Sequence, residues 1–313
     1  MDKIFNDSCL NMAKYLQPES VNCIVTSPPY YGLRDYGVDG QIGLEQTPQE
    51  FVDKLVAVFR ECKKVLREDG TLWLNLGDSY YNYRPGKGQA LVKQSCASSG
   101  QDLPQTCARR GNKLDGLKEK DLIGIPWRVA FALQADGWYL RQDIVWHKPN
   151  PMPESVKDRC TKAHEYIFLL SKNPKYYFDS VSIQEDAKWE RWGDQTVVKE
   201  QQGTAKWIGA KSKADLQAMG KKNKRSVWTV ATKPCKEAHF ATFPTELIRP
   251  CVKAGCPIGG IVLDPFMGAG TTALVAKQEG RQYVGFELNP AYVDMANKRL
   301  FEHFVLFFGT EGK

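Results

Sequence analysis

Ten residues, Leu263-Asp264-Pro265-Phe266-Met267-Gly268-Ala269-Gly270-Thr271-Thr272, restrict this chain more than any other stretch. The apolar, β-branched run Ile261-Val262-Leu263 leads into them, and helical spacing begins at Thr271 and continues to Gln278. A strand that turns through two glycines into a helix belongs to a parallel α/β sheet. The glycines allow a sharp turn and let a ligand approach the backbone closely. Tyr283-Val284-Gly285-Phe286 reads as the following strand, with Glu287 at its end, 23 residues after Asp264. An acid at that position can accept hydrogen bonds from both hydroxyls of a ribose.

Two classes of nucleoside cofactor suit such a corner. A dinucleotide places its pyrophosphate on the helix N-terminus and calls for glycine, or a tolerated alanine, three residues after the second glycine. Ala273 stands there, so spacing alone leaves the dinucleotide open. Asp264 argues the other way: a carboxylate beside the loop repels pyrophosphate and suits the ammonium group of a methionine moiety. S-adenosylmethionine is the better fit.

The remaining pattern is consistent with the same sheet. Val21-Asn22-Cys23-Ile24-Val25-Thr26 reads as a strand that stops at Ser27-Pro28-Pro29-Tyr30, because two prolines cannot continue a ladder. Thr47-Pro48-Gln49-Glu50 carries a helix N-cap, a proline in the first turn and an acid at the third position. Apolar spacing then predicts a helix from Phe51 to Leu66, ended by Asp69-Gly70, and a buried strand over Thr71–Leu76. Leu122–Leu133 reads as helix, Trp138–Trp146 and Tyr166–Leu170 as strands, Pro290–Leu300 as a last helix and Val305–Phe308 as a last strand. Strand, crossover helix, strand is the unit of a parallel sheet.

The Ser-Pro-Pro-Tyr loop invites a specific chemistry. The exocyclic amine of a base is a poor nucleophile because its lone pair is delocalised into the ring. Hydrogen-bond acceptors drawing on its protons localise that pair. The Ser27 hydroxyl and the Pro28 carbonyl are two such acceptors, held in place by Pro28 and Pro29. Tyr30 offers a flat face for an extruded base, an interaction worth roughly 1–3 kcal/mol. The other reading of Pro-Pro-Tyr is a polyproline turn or partner-binding motif. Its place after a strand, in a chain with a nucleoside loop, favours catalysis.

Two stretches leave the α/β pattern. Between Arg84 and Lys120 there are eight Lys or Arg against three acids, and between Lys206 and Arg225 seven against Asp215 alone. With a net charge of +7, these segments are candidate polyanion contacts. Trp189, Trp192 and Trp207 in the second stretch read as a small local core. The nine cysteines include no Cys-x-x-Cys pair, so free thiols in a reducing compartment are expected and no metal site is. No run approaches the roughly 18 apolar residues of a membrane span, and the N-terminus has no signal pattern. A cytoplasmic protein is expected.

Taken together, Ser27-Pro28-Pro29-Tyr30 and Asp264–Thr271 resemble the two signatures of the DNA amino-methyltransferases, the family that makes N4-methylcytosine and N6-methyladenine. The catalytic motif comes first here. That order resembles the β group, which implies a circularly permuted, Rossmann-like S-adenosylmethionine-dependent methyltransferase sheet with a small basic target-recognition insertion. The resemblance implies a catalytic domain in two parts, 1–180 (with a mobile basic loop at 84–120) and 226–313, around a recognition region at 181–225. It also implies that Asp7, in Asn6-Asp7-Ser8-Cys9, contacts the cofactor adenine, although Asn6 replaces the family's glycine. The resemblance further implies that Phe266 lies against that ring and that His239–Pro244, including Phe243 and Pro244, packs around the methionine end. Asp264, Gly268, Gly270, Thr271 and Glu287 complete the implied cofactor site.

Within the family, Ser-Pro-Pro-Tyr is typical of cytosine-N4 enzymes, so cytosine N4 is favoured and adenine N6 is the alternative. An RNA or protein-amide methyltransferase and an inactive DNA-binding relative are further readings. Double-stranded DNA is the implied partner, with its target base flipped at a cost of a few kcal/mol. Lys211, Lys213, Lys221, Lys222, Lys224 and Arg225 are the first candidate phosphate contacts, and Arg109 and Arg110 the second. His147, Lys148, His164 and Glu165 flank strands, and no general base is required of them. No nuclease motif is present, and a homodimer and a separate restriction endonuclease are compatible with the resemblance.

Overall fold

The middle of the sheet is built from strands that are buried on both faces, as their almost continuous apolar runs require. A computed structural model describes residues 1–33, 35–81, 116–186, 221–232 and 243–308. Its elements are β1 (Lys3–Phe5), a 3-10 turn (Cys9–Lys14), β2 (Val21–Thr26), α1 (Pro48–Val65), β3 (Leu66–Leu76), α2 (Ile125–Ala135), β4 (Tyr139–His147) and β5 (His164–Ser171). There follow β6 (Glu185–Asp186), β7 (Lys221–Lys222), β8 (Val227–Thr229), α3 (Thr245–Gly255), β9 (Ile261–Asp264), α4 (Thr271–Gln278), β10 (Gln282–Phe286) and α5 (Pro290–Phe308).

Eight strands make one sheet in the order β1-β10-β9-β2-β3-β5-β4-β8. β5 runs antiparallel to β3 and β4, and the other neighbours are parallel. Alternate residues of each strand feed two cores. Ile24, Leu72, Leu74, Phe168 and Leu263 face α1 and α2, whereas Cys23, Val25, Trp73, Leu169 and Val262 face α3, α4 and α5. The mixed α/β expectation therefore holds, with helices on both faces. From β2 the chain crosses through α1 to β3; from β9 it crosses through α4 to β10, moving the opposite way along the sheet. β2 and β9 are neighbours, so the reversal falls between Thr26 and Asp264, where open α/β sheets bind ligands.

Three local features differ from the sequence reading. Thr47 caps α1 by accepting from the Glu50 amide at 3.1 Å, as expected, but no turn at Asp69-Gly70 separates helix from strand. Leu66 is already extended (φ −73°, ψ 135°) and pairs with Val21, and Arg67–Asp69 occupy an irregularity before Thr71 resumes the register opposite Cys23. α2 begins at Ile125 rather than Leu122, because Gly124 takes a left-handed conformation (φ 77°) ahead of Pro126. Val305–Phe308 continue α5. Extending a helix adds a hydrogen bond per residue, whereas a new strand needs a partner edge. Among the described cysteines, Cys9, Cys23, Cys62, Cys251 and Cys256 are buried free thiols and Cys160 is exposed. No helix among the described residues is long and apolar enough to cross a membrane.

Candidate active site at the reversal of the sheet

A cavity of about 450 Å³ opens at the C-terminal edge of the sheet. Ser27, Pro28, Pro29 and Tyr30 line one side, and Asp264, Phe266, Gly268, Thr271 and Glu287 the other, with Asp7 and Phe243 at its margin. Two motifs more than 200 residues apart in sequence thus share one space. The joint between them is short: the Thr26 hydroxyl donates to Asp264 Oδ1 at 2.6 Å, and the Thr272 hydroxyl donates to Asp264 Oδ2 at 2.6 Å. The Phe266 amide also donates to Oδ1, at 3.0 Å. Asp264 is 2% exposed. Its carboxylate therefore latches the two loops together while lining the cavity. Burial pushes its pKa up to about 6, against the hydrogen bonds of Thr26 and Thr272.

Glu287 stands just after β10 and lines the cavity. Its Oε2 accepts from the Gly268 amide and its Oε1 from the Asn289 amide, both at 2.9 Å, which leaves lone pairs on each oxygen for two ligand hydroxyls. Burial raises its pKa. The two glycines divide their tasks. Gly268 (φ 50°) supplies the turn into open space, whereas a Cβ on Gly270 (φ 76°) would stand 2.9 Å from that of Ala296 in α5. Gly270 is needed for helix packing and does not line the cavity. The Arg299 guanidinium holds the loop by donating to the Ala269 carbonyl at 2.9 Å and the Thr271 hydroxyl at 3.0 Å.

Asp7 is held by the Ser8 amide, the Asn11 side chain and the Tyr15 hydroxyl at 2.7–2.8 Å, and the Asn11 and Tyr15 bonds lower its pKa. Asn6 has a use of its own: its side-chain amide donates to the Glu287 and Leu288 carbonyls, both at 2.9 Å, tying the end of β1 to the end of β10. Pro244 is the buried N-cap of α3 and is not among the residues lining the cavity. The donor set and volume suit a nucleoside bearing a polar tail: a carboxylate with spare acceptors, a half-buried aromatic at Phe266 and a backbone that a ligand can approach.

On the opposite side, the Tyr30 hydroxyl donates to Glu165 Oε2 at 2.6 Å and lies 3.2 Å from Asn75 Oδ1. Burial, then the Glu165 charge, raises the Tyr30 pKa well above its ordinary value. Glu165 pairs with Lys148, which also sits 4.3 Å over the Trp146 ring. Asn75, Lys148 and Glu165 received no role from the sequence. The available signal was Asn75, one amide within the apolar run Leu72–Leu76. The loop after Tyr30 also lines the cavity through Tyr36, Gln41 and Ile42.

The basic candidates lie elsewhere. Lys221 pairs with Asp186 at 2.7 Å and Arg225 with Glu185 at 2.7 Å across the small β6–β7 sheet, and Lys224 stands 5.0 Å over the Trp228 ring. Lys222 is 3.7 Å from Glu185. Exposed pairs of this kind contribute about 0–1 kcal/mol, so phosphate can compete for them. Arg109, Arg110, Lys211 and Lys213 lie outside the described residues, as do Trp189, Trp192, Trp207 and His239–Thr242.

Comparison with known proteins agrees with this geometry. A family model for N6/N4 methyltransferases, described as DNA methylase, matches residues 21–298. The Type II methyltransferase M.Cfr9I of Citrobacter freundii is 51% identical over 297 residues, 95% of this chain and 87% of the relative. Among solved structures, the cytosine-N4-specific PvuII DNA methyltransferase superposes with a TM-score of 0.62 at 18% identity, over 95% of this chain and 86% of the other. A putative DNA modification methylase of Thermus thermophilus, solved with S-adenosyl-L-methionine, gives 0.59 at 21% identity over 96% and 94%.

Proposed function

The chain belongs to the N6/N4 methyltransferase family of DNA methylases, and from that premise we propose that it methylates the N4 amine of a cytosine flipped out of double-stranded DNA. The observation that carries the proposal is the shared cavity, in which a Ser-Pro-Pro-Tyr loop faces a nucleoside-binding corner across the Thr26–Asp264 bond. The cofactor of the family is S-adenosylmethionine, which supplies an electrophilic methyl group when bound. Glu287 would take the ribose hydroxyls, Phe266 the adenine face, and Gly268 the close backbone approach.

Ser27 and the Pro28 carbonyl accept the two protons of the target amine and so localise its lone pair toward the methyl donor. Because both acceptors sit on a loop fixed by consecutive prolines, little reorganisation is needed as the transition state forms. Tyr30 lies behind the base as a platform. No side chain need remove the amine proton before transfer, since the alkylated nitrogen is acidic and gives it up afterwards. Lys221, Lys222, Lys224 and Arg225, with Arg109, Arg110, Lys211 and Lys213, are assigned to the DNA backbone, and 181–225 to target recognition. The names of its relatives, Type II methyltransferases, support a role in a restriction–modification system.

The test is nucleoside mass spectrometry of unmethylated DNA treated with protein and S-adenosylmethionine. N4-methylcytosine is expected. N6-methyladenine would reassign the base, and neither product, with cofactor bound, would defeat the proposal.

Two variants probe the halves of the site. Glu287→Ala removes charged acceptors worth roughly 1.5–3 kcal/mol each, so cofactor affinity is expected to fall at least 10-fold by equilibrium dialysis. Gly77→Ala acts on the base side. A Cβ at 77 would stand 2.5 Å from Cε2 of the Tyr30 ring and 3.0 Å from Cδ2, so the platform must shift. We expect slower methyl transfer, with cofactor affinity unchanged. A normal rate would show that the ring position does not matter.

A further inference from the structure

We propose that the loop between Tyr30 and α1 is the outer wall of the cofactor site, with Tyr36 and Ile42 as further residues that hold S-adenosylmethionine. The inference deepens the proposed function and rests on Glu287 marking the ribose end of the cavity.

Most of the cofactor residues read from the sequence share one bank. Asp7 follows β1, Phe266, Gly268 and Thr271 follow β9, and Glu287 follows β10. A nucleoside resting on that bank alone would leave its other face to water, whereas small-molecule sites bury roughly 70–90% of their ligand. The loop after Tyr30 supplies the missing face. Leu33, Tyr36, Gln41 and Ile42 line the cavity from the loop, and Tyr292 and Met295 line it from α5. The Tyr36 and Tyr292 rings meet edge-on, with centroids 6.4 Å apart and planes at 88°. Tyr292 stands five residues after Glu287, so the loop reaches across the cavity to its ribose end. Ile42 and Phe266 are both half-buried against the core beneath α1 and α2. The lining of the loop is chiefly apolar and aromatic, which suits adenosine better than a charged tail.

The loop holds this shape by bonds of its own. Its two legs close where the Gly32 amide donates to the Gly43 carbonyl at 2.5 Å, and the Leu33 amide donates to the Tyr30 carbonyl at 3.2 Å. Inside it, the Gln41 side chain accepts from the Tyr36 amide and the Asp35 side chain from the Gly37 amide, both at 2.8 Å. The returning leg is anchored by Glu45, whose side chain is 1% exposed. It accepts from the Gly43 amide at 2.9 Å and pairs with Lys54 of α1 at 3.0 Å. A Cβ on Gly43 would stand 3.2 Å from the Tyr30 carbonyl oxygen and 3.4 Å from Pro29 Cβ, so this leg packs directly on the Ser-Pro-Pro-Tyr loop. A wall fixed in this way lowers the ordering cost that a ligand must otherwise meet.

The experiment is equilibrium dialysis of S-adenosylmethionine and S-adenosylhomocysteine against the wild type, Tyr36→Ala and Ile42→Ala, with duplex affinity and the thermal midpoint without cofactor measured alongside. Each variant is expected to bind both ligands about 5-fold more weakly or worse, since each loses apolar contact. A second measurement uses the wild type alone. Saturating S-adenosylhomocysteine should slow chymotryptic cleavage after Tyr36, identified by mass spectrometry, because the segment must leave the cavity to enter a protease. Unchanged cofactor affinity in either variant, or cleavage after Tyr36 at the same rate with and without ligand, would overturn the proposal. Loss of duplex affinity with cofactor affinity intact would also overturn it, by giving the loop to the target base. Should a variant's midpoint fall well below that of the wild type, the protection measured on the wild type decides. Failure of the wild type to bind either ligand would instead defeat the cofactor assignment on which the proposal rests.

Discussion

Ser27→Ala is expected to lower the single-turnover rate by about 10²–10³ while leaving S-adenosylmethionine affinity within a factor of two or so, because a preorganised polar group felt in the transition state is worth that much in rate. Ser27 lines the cavity directly after β2, while the residues proposed to hold the cofactor are Glu287, just after β10, and Phe266 and Gly268, in the loop between β9 and α4. The latch is made by Thr26, not Ser27, so truncating the serine leaves the Thr26–Asp264 bond intact. The Pro28 carbonyl remains as one acceptor, which is why residual turnover should persist. Stopped single-turnover assays on duplex DNA, paired with equilibrium dialysis, separate the two quantities. Equal losses in rate and affinity would move Ser27 from the chemical step to cofactor binding.

Asp264→Asn should change how stability depends on pH. Burial raises the folded-state pKa of Asp264 from 3.8 to about 6. Below about pH 4 the group is protonated in both folded and unfolded chains and costs nothing. Between about 4 and 6 the folded chain retains a proton that the unfolded chain releases, so stability falls as pH rises. Above about 6 both are ionised and the full cost is present, roughly 3 kcal/mol for a shift of about two units. Asparagine has no such titration. It still accepts from one threonine hydroxyl and donates to the other, since a hydroxyl can reverse its role. Comparing denaturant unfolding at pH 4 and pH 7, we expect the stability of the variant relative to wild type to rise by about 2 kcal/mol. Parallel curves at the two pH values would mean that Asp264 is not titrating in this window.

Much of this architecture was legible because the relevant signals are local. The strands over Val21–Thr26 and Ile261–Asp264, the cap at Thr47 and the two prolines after Ser27 each declare themselves within a few residues. The cavity-lining roles of Ser27, Phe266 and Glu287 follow from standing at strand ends or in the turn that follows one. What was not legible depends on contacts far apart in sequence. Tyr30 meets Glu165 across 135 residues, and Asn75 meets it across 90. Nothing near Asp264 in the sequence announces that Thr26, 238 positions away, closes on it. The strand expected at Val305–Phe308 was lost for a different reason. Its β-branched and aromatic residues suit a sheet, but α5 reaches them uninterrupted.

The Thr26–Asp264 bond also fixes a gauge. Thr26 and Asp264 stand on neighbouring strands, whose separation of about 4.8 Å is set by the backbone itself. On the proposed function, the distance between the Ser27 loop and the cofactor corner is therefore part of the sheet, as invariant as its twist. Whatever the chain uses to grip DNA can be exchanged or lengthened without recalibrating that distance. A change of target sequence then asks nothing new of the chemistry, and variation in recognition can accumulate independently of variation in rate.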